Sequence, residues 1–116
     1  MSKSLLRGNF ELVLLAILED GPKYGLELIA EAKARSDGYF NLKEGSLYPA
    51  LSRMEKAGYL KGEFVQSKVG GPPCRYHRLT TAGHRQFFDE RHAWRQFNHA
   101  VELLQRPTLS QQKKDR

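Results

Sequence analysis

Gly70-Gly71-Pro72-Pro73 is the stretch that most restricts how this chain can fold. Glycine weakens any regular element, and proline has no N–H to give a helix or a ladder. The segment must be a loop. Extended runs flank it, about Tyr59 to Gln66 and Cys74 to Leu79, so the four residues form the tip of a hairpin. What precedes and follows the hairpin reads as helix.

The first helix is expected from about Asn9 to Glu19, with Asn9 as N-cap and Gly21-Pro22 as the stop. Leu12 to Leu18 is almost wholly apolar, so burial on most sides is expected. A second helix follows from about Tyr24 to Ala34, turning Leu28, Ile29 and Ala32 inward, until Ser36-Asp37-Gly38 breaks it. Phe40 and Leu42 alternate with polar neighbours and read as a very short strand. A third helix is expected from about Ser46 to Ala57. Pro49 is tolerated only in a first turn, so the helix cannot start much before Gly45. Leu47, Leu51 and Met54 give it one buried stripe, and Gly58 ends it. Thr80 or Thr81 caps a long fourth helix reaching about Gln105, which Pro107 closes before a polar tail, Leu109 to Arg116.

Three helices and then a hairpin is the order of a winged helix-turn-helix. The expected architecture is mainly α with a small β-hairpin. The expected division is residues 1–80 as a winged helix-turn-helix domain of the kind that binds DNA, residues 81–106 as a C-terminal helix for dimerisation, and residues 107–116 as the tail. A chain of 116 residues holds one compact domain and an extra element, and a core this small gains from a partner subunit.

The net charge of +6 favours an anionic partner without choosing among nucleic acid, membrane surface and acidic protein. Its distribution is more telling. Lys43 to Arg78 carries seven Lys or Arg against three Glu, so the third helix and hairpin hold most of the excess. Phosphate binding demands that placement. The outward face of the third helix offers Ser46, Tyr48, Pro49, Ser52, Arg53 and Lys56. Arg53 could fork onto guanine or phosphate, and Ser46 and Ser52 could donate to phosphate. At the hairpin, Lys68, Arg75 and Arg78 could sit beside the backbone or minor groove. The plain alternative is a solvated helix face and an ordinary exposed hairpin.

Several other functions find little support. A single cysteine, Cys74, allows no internal disulfide. The run Leu12 to Leu18 is bracketed by Glu11 and Glu19, lacks a cleavage site, and is far short of the roughly 20 residues a membrane span needs. A cytoplasmic location is expected. The sequence holds no nucleotide loop, paired carboxylates or metal-ligand cluster, so no enzyme, metal or cofactor is expected. Cys74 and His77 would lie on opposite faces of a strand and cannot act as nucleophile and base. His84, His92 and His99 are two helical turns apart, roughly 10 to 12 Å, too far for one ion.

Tyr24-Gly25-Leu26-Glu27-Leu28, the run Glu44 to Leu51, the run Met54 to Leu60 and the run Gly71 to Thr80 together resemble the PadR family of transcriptional regulators. They occur in that family's order and spacing across about residues 9 to 105. The resemblance implies a homodimer, usually a repressor, on a near-palindromic operator close to its own or a neighbouring promoter, released by an inducer or another signal. The single C-terminal helix looks like the shorter subgroup, which includes multidrug-responsive regulators. Residues carried over as DNA-facing are Tyr24, Ser46, Tyr48, Pro49, Arg53, Arg75 and Tyr76. Two positions depart from the pattern: Cys74 stands where a basic residue is common, and His77 where a second aromatic is. An exposed Cys74 thiolate flanked by Arg75 would be activated for redox chemistry, although an inert replacement is the simpler view.

On the fourth helix, Phe87, Trp94 and Val101 recur every seven residues, with Phe97 and Leu104 three places after the last two. This a/d seam needs a partner, and a second copy is the natural one. In multidrug-binding relatives a tryptophan in the corresponding helix stacks on flat aromatic ligands at the dimer centre. Trp94 looks like that residue, with Phe88 and Phe97 as further pocket walls; plain dimer packing is the alternative. A winged helix used only for protein contacts is the rival function.

Overall fold

A computed structural model describes residues 3–67 and 69–106 of the chain. Seven elements follow one another: α1 (Lys3–Leu18), β1 (Lys23–Tyr24), α2 (Gly25–Arg35), α3 (Glu44–Lys56), β2 (Leu60–Val65), β3 (Cys74–Leu79) and α4 (Thr81–Gln105). The strands form an antiparallel sheet in the order β1-β3-β2. This is a winged helix-turn-helix with a long C-terminal helix, as the sequence leads one to expect. Lys68 and the tail beyond Arg106 lie outside the described residues, so the expectations placed on them do too.

Helix α1 starts six residues before the expected Asn9. Nothing from Lys3 to Asn9 breaks a helix except Gly8, whose penalty of about 1 kcal/mol tertiary packing can override. Asn9 is therefore inside the helix and not its cap, and its amide donates to the Leu5 carbonyl at 2.9 Å. Leu14, Leu15, Ile17 and Leu18 are buried against Leu28, Leu47, Leu51, Met54, Leu60 and Leu79. Leu12, Val13 and Ala16 are only half-buried and face an open cleft, so α1 is less enclosed than its apolar run suggests.

Tyr24 stands just outside α2, in extended conformation, and pairs with Tyr76 as part of β1. The Glu27 carboxylate accepts the Tyr24 N–H at 3.1 Å, half of a capping box that a tyrosine cannot complete. After α2 the chain turns through Asp37 and Gly38, both at positive φ. Ser36 Oγ donates to the Ala32 carbonyl at 2.6 Å and accepts the Phe40 N–H at 2.9 Å. Phe40 and Leu42 form no strand. Their burial, not strand pairing, explains the alternation: Leu42 is in the core and Phe40 packs against it. The extra strand is Lys23–Tyr24 instead, which the sequence pattern does not signal.

Helix α3 begins at Glu44, which leaves Pro49 in its second turn rather than its first. The Gly45 carbonyl thus loses its usual helical donor. Gly45 is exposed, so water can satisfy that carbonyl, and this is why the proline is tolerated.

Helix α4 is fastened only at its start. Thr80 Oγ1 donates to the Gly58 carbonyl at 2.6 Å and accepts the Gly83 N–H at 3.0 Å. Gly83 lies directly on the Tyr59 carbonyl, leaving no room for a Cβ. It is the one buried residue of α4 among those described, and Phe87 packs partly against the core. Beyond that, α4 borders a cleft against α1 with Arg91, Trp94 and Arg95, and its Leu104 near the end is 85% exposed. Its 25 residues span about 37 Å at 1.5 Å per residue. The radius of gyration is 18.4 Å, against about 13 Å for a compact chain of this length.

Candidate nucleic-acid interface

One face of α3 anchors it, through Leu47, Ala50, Leu51 and Met54. The opposite face is exposed from Ser46 through Tyr48, Pro49, Ser52, Arg53 and Lys56. At 100° per residue this face divides in two. Tyr48 and Ser52 lie on the flank toward α2 and the sheet, whereas Ser46 and Arg53 lie on the far flank. Among the described residues neither Arg53 nor Lys56 makes an ion pair, so both charges are free for an incoming anion.

The near flank borders a groove of about 410 Å³, lined by Tyr24, Gly25, Tyr48, Ser52, Glu55 and Arg75 among others. Tyr48 lies across Gly25, where a Cβ would come within 2.6 Å of its hydroxyl. A glycine at the start of α2 is what lets the tyrosine ring settle there. Tyr24 meets Tyr76 edge to face, ring centroids 5.4 Å apart. The Tyr76 phenol is pushed up from the usual tyrosine value, first by desolvation and then by Glu27, so it stays a hydrogen-bond donor.

The two-residue period of β3 separates its side chains. Arg75 and His77 face α3, while Cys74, Tyr76 and Arg78 take the other face of the sheet. Glu55 of α3 receives both: its Oε2 accepts from Arg75 Nη2 at 2.9 Å, and its Oε1 lies 2.8 Å from His77 Nδ1. The Arg75 guanidinium also rests over the Phe64 ring at 5.4 Å. Arg75 is thus part of the junction between helix and wing before it is anything else. His77 is 6% exposed, and burial holds its pKa below the ordinary histidine value despite Glu55. Arg78 lies 3.8 Å from Glu63, a loose surface pair.

Glu55, His77, Gly25 and Gly62 were missed as contributors to this surface. The spacing of Arg75 and His77 on one strand face, opposite an acid on α3, was the available clue. Gly62 pairs with His77, and a Cβ there would run into Glu55 and Arg75.

A second cavity, about 570 Å³, opens between α1 and α4. Leu12, Val13, Ile17, Phe40, Phe87 and Trp94 give it an apolar wall. Trp94 is 44% exposed. In the single chain this cleft is lined further by Tyr39 and Phe40, whereas Phe88 and Phe97, expected at a dimer centre, lie outside it. Arg91 covers the Phe87 ring at 5.2 Å. Phe97 and Leu104 stand well exposed, and Val101 is partly so. Of the three helix histidines, His84 lies 2.9 Å from Glu19 of α1, and no cluster of metal-binding side chains occurs among the described residues.

Comparison with known proteins agrees with this geometry. The model of the transcriptional regulator PadR-like family matches residues 14–89. A transcriptional regulator from Clostridium thermocellum is 25% identical, with a TM-score of 0.79 over 88% of this chain and 95% of that one. A PadR-like transcription factor from Bacteroides fragilis is 30% identical, with a TM-score of 0.72 over 88% and 96%. A PadR-like regulator from Bacillus cereus is 27% identical, with a TM-score of 0.78 over 91% and 100%. The matched residues run from the α1 core through the helix-turn-helix and the wing into α4, and this chain belongs to the PadR-like family of transcriptional regulators.

Proposed function

We propose that the chain is a DNA-binding repressor that works as a homodimer on a near-palindromic operator. The observation that carries this is the exposed face of α3, where Arg53 and Lys56 have no carboxylate partner among the described residues and Ser46, Tyr48, Pro49 and Ser52 stand beside them. A helix in the major groove needs such a face, with a buried stripe behind it. Tyr24 and Arg75 border the groove beside this face, and Tyr76 stands against Tyr24 on the other face of the sheet. All three would meet the sugar-phosphate backbone, with Lys68 as a further cation. The free face supports DNA binding over a role in protein contacts alone, which would have it covered or acidic.

The half-exposed seam of Phe87, Trp94, Phe97, Val101 and Leu104 supports pairing of two copies through α4, with α1 of the partner as additional cover. Two heads would then span half-sites about one DNA turn apart. An aromatic inducer stacked on Trp94 would change the spacing of the heads, with Phe88 and Phe97 near it only in the dimer.

The test is binding to the DNA upstream of the protein's own gene over a range of salt. Log affinity should fall steeply with log salt, by a slope of about 0.9 per phosphate neutralised. Salt-insensitive binding, or none to any duplex, would remove the proposal.

A further inference from the structure

We propose that Glu55 and His77 form a proton-linked latch on Arg75, so that the reading head takes up a proton at His77 when it engages DNA. The inference rests on the DNA-binding role proposed for α3 and the wing. Glu55 and His77 are positioning residues here, acting through Arg75 and not on DNA.

The geometry is a shared carboxylate. One oxygen of Glu55 holds Arg75 at 2.9 Å and the other faces His77 Nδ1 at 2.8 Å. With His77 neutral the cluster carries one cation and one anion. Arg75 keeps 41% of its side chain exposed, so a phosphate can reach the guanidinium from outside. Its arrival adds a second anion beside a half-buried carboxylate. Glu55 then shares Arg75 with the phosphate, and the cheapest way to restore balance is a proton on His77, which already faces the carboxylate.

Among the described residues, Glu55 and Arg75 are the charges that act on His77. From β1, Lys23 sits opposite His77 in register, but its ammonium is drawn to Glu31 at 3.5 Å. From β2, Gly62 lies opposite, flanked by Lys61 and Glu63, and Glu63 pairs with Arg78 on the other face. The remaining titratable groups lining the groove are the Tyr24 and Tyr48 phenols and the Cys74 thiol. In the free protein burial and Arg75 both disfavour the imidazolium. A bound phosphate reverses the second influence, so the pKa of His77 rises on binding and affinity increases as pH falls.

The experiment is calorimetric titration of the full chain with a mixed-sequence DNA duplex at low salt. It is run near pH 6.5, the ordinary histidine value, in two buffers of different ionisation enthalpy. Proton uptake is expected, with log affinity rising by up to about one unit per pH unit for each linked head. His77→Tyr, or His77→Gln should the first fold poorly, should bind DNA with that uptake lost. Glu55→Gln should also lose it and bind more tightly at neutral pH, because Arg75 is released. Replacing His84, His92 and His99 together by Gln should leave it in place. Uptake that persists in both His77 variants, or binding by the wild type with no uptake, would overturn the latch while sparing the DNA-binding role. A wild type that binds no duplex would overturn both.

Discussion

Glu55 accepts from a strand residue on each of its oxygens, and this gives a structural role to His77, which the sequence marks only as a departure from the family pattern. A buried histidine held neutral also affects folding. The unfolded chain binds the extra proton first, so stability is expected to fall as pH drops below the ordinary value of 6.5 and to level off above it. Thermal melts of wild type against His77→Tyr, taken without DNA, check this; parallel curves at all pH would contradict it. Gly25 is consequential for the opposite reason, because it has nothing to offer but space. In Gly25→Ala the new methyl meets the far end of Tyr48, a side chain free to swing away. DNA affinity should drop severalfold while the melting temperature changes little. A melting temperature that collapses, or affinity left intact, would mean that the contact is not about aiming Tyr48.

The elements show why some of this was legible beforehand and some was not. Strands β2 and β3, the end of α3 and the Thr80 cap followed from breakers and caps, which act locally: Gly58, the Gly-Gly-Pro-Pro tip and Thr80 fix their neighbours whatever the rest of the chain does. The exposed residues of α3 followed from its buried stripe. The misjudged parts depend on distant residues. Asn9 looked like a cap because an asparagine precedes the apolar run, but only packing decides whether Lys3 to Gly8 joins the helix. The pairing of Tyr24 with Tyr76 joins positions far apart in sequence, and two residues leave no period to read. The Glu55 cluster is only half legible for the same reason: the two-residue spacing of Arg75 and His77 can be read, but not which acid they meet. Docking of α4 is a local matter with a sharp test. Gly83→Ala pushes a methyl into the Tyr59 backbone carbonyl, which cannot rotate away, and should cost about 1–3 kcal/mol of stability by overpacking. Chemical denaturation would measure it, and a neutral substitution would show that α4 can slide on the sheet.

For the molecule entire, the decisive fact is that α4 leaves the domain and carries large apolar side chains with no cover of their own. Trp94 is 44% exposed, Phe97 69% and Leu104 85%, while Val101 between them is partly covered. A second copy would bury them, and each large side chain so covered is worth about 1.5–3 kcal/mol. Trp94→Ala is therefore expected to lower dimer stability or affinity for flat aromatic ligands, read by sedimentation and by fluorescence titration. A mutant with both intact would leave the cleft between α1 and α4 without a role. Head spacing, set by this helix pair, is what would convert ligand binding into release of DNA.

The proposed function depends on whether α3 reads DNA, and Arg53 is where that can be measured. Binding of wild type and Arg53→Ala to the duplex upstream of the gene should differ by about 1–3 kcal/mol, the scale of a specific arginine contact, with sequence preference relaxed in the mutant. A folded Arg53→Ala protein that binds the same duplex as tightly and as selectively as wild type would contradict the assignment of α3 as the reading helix.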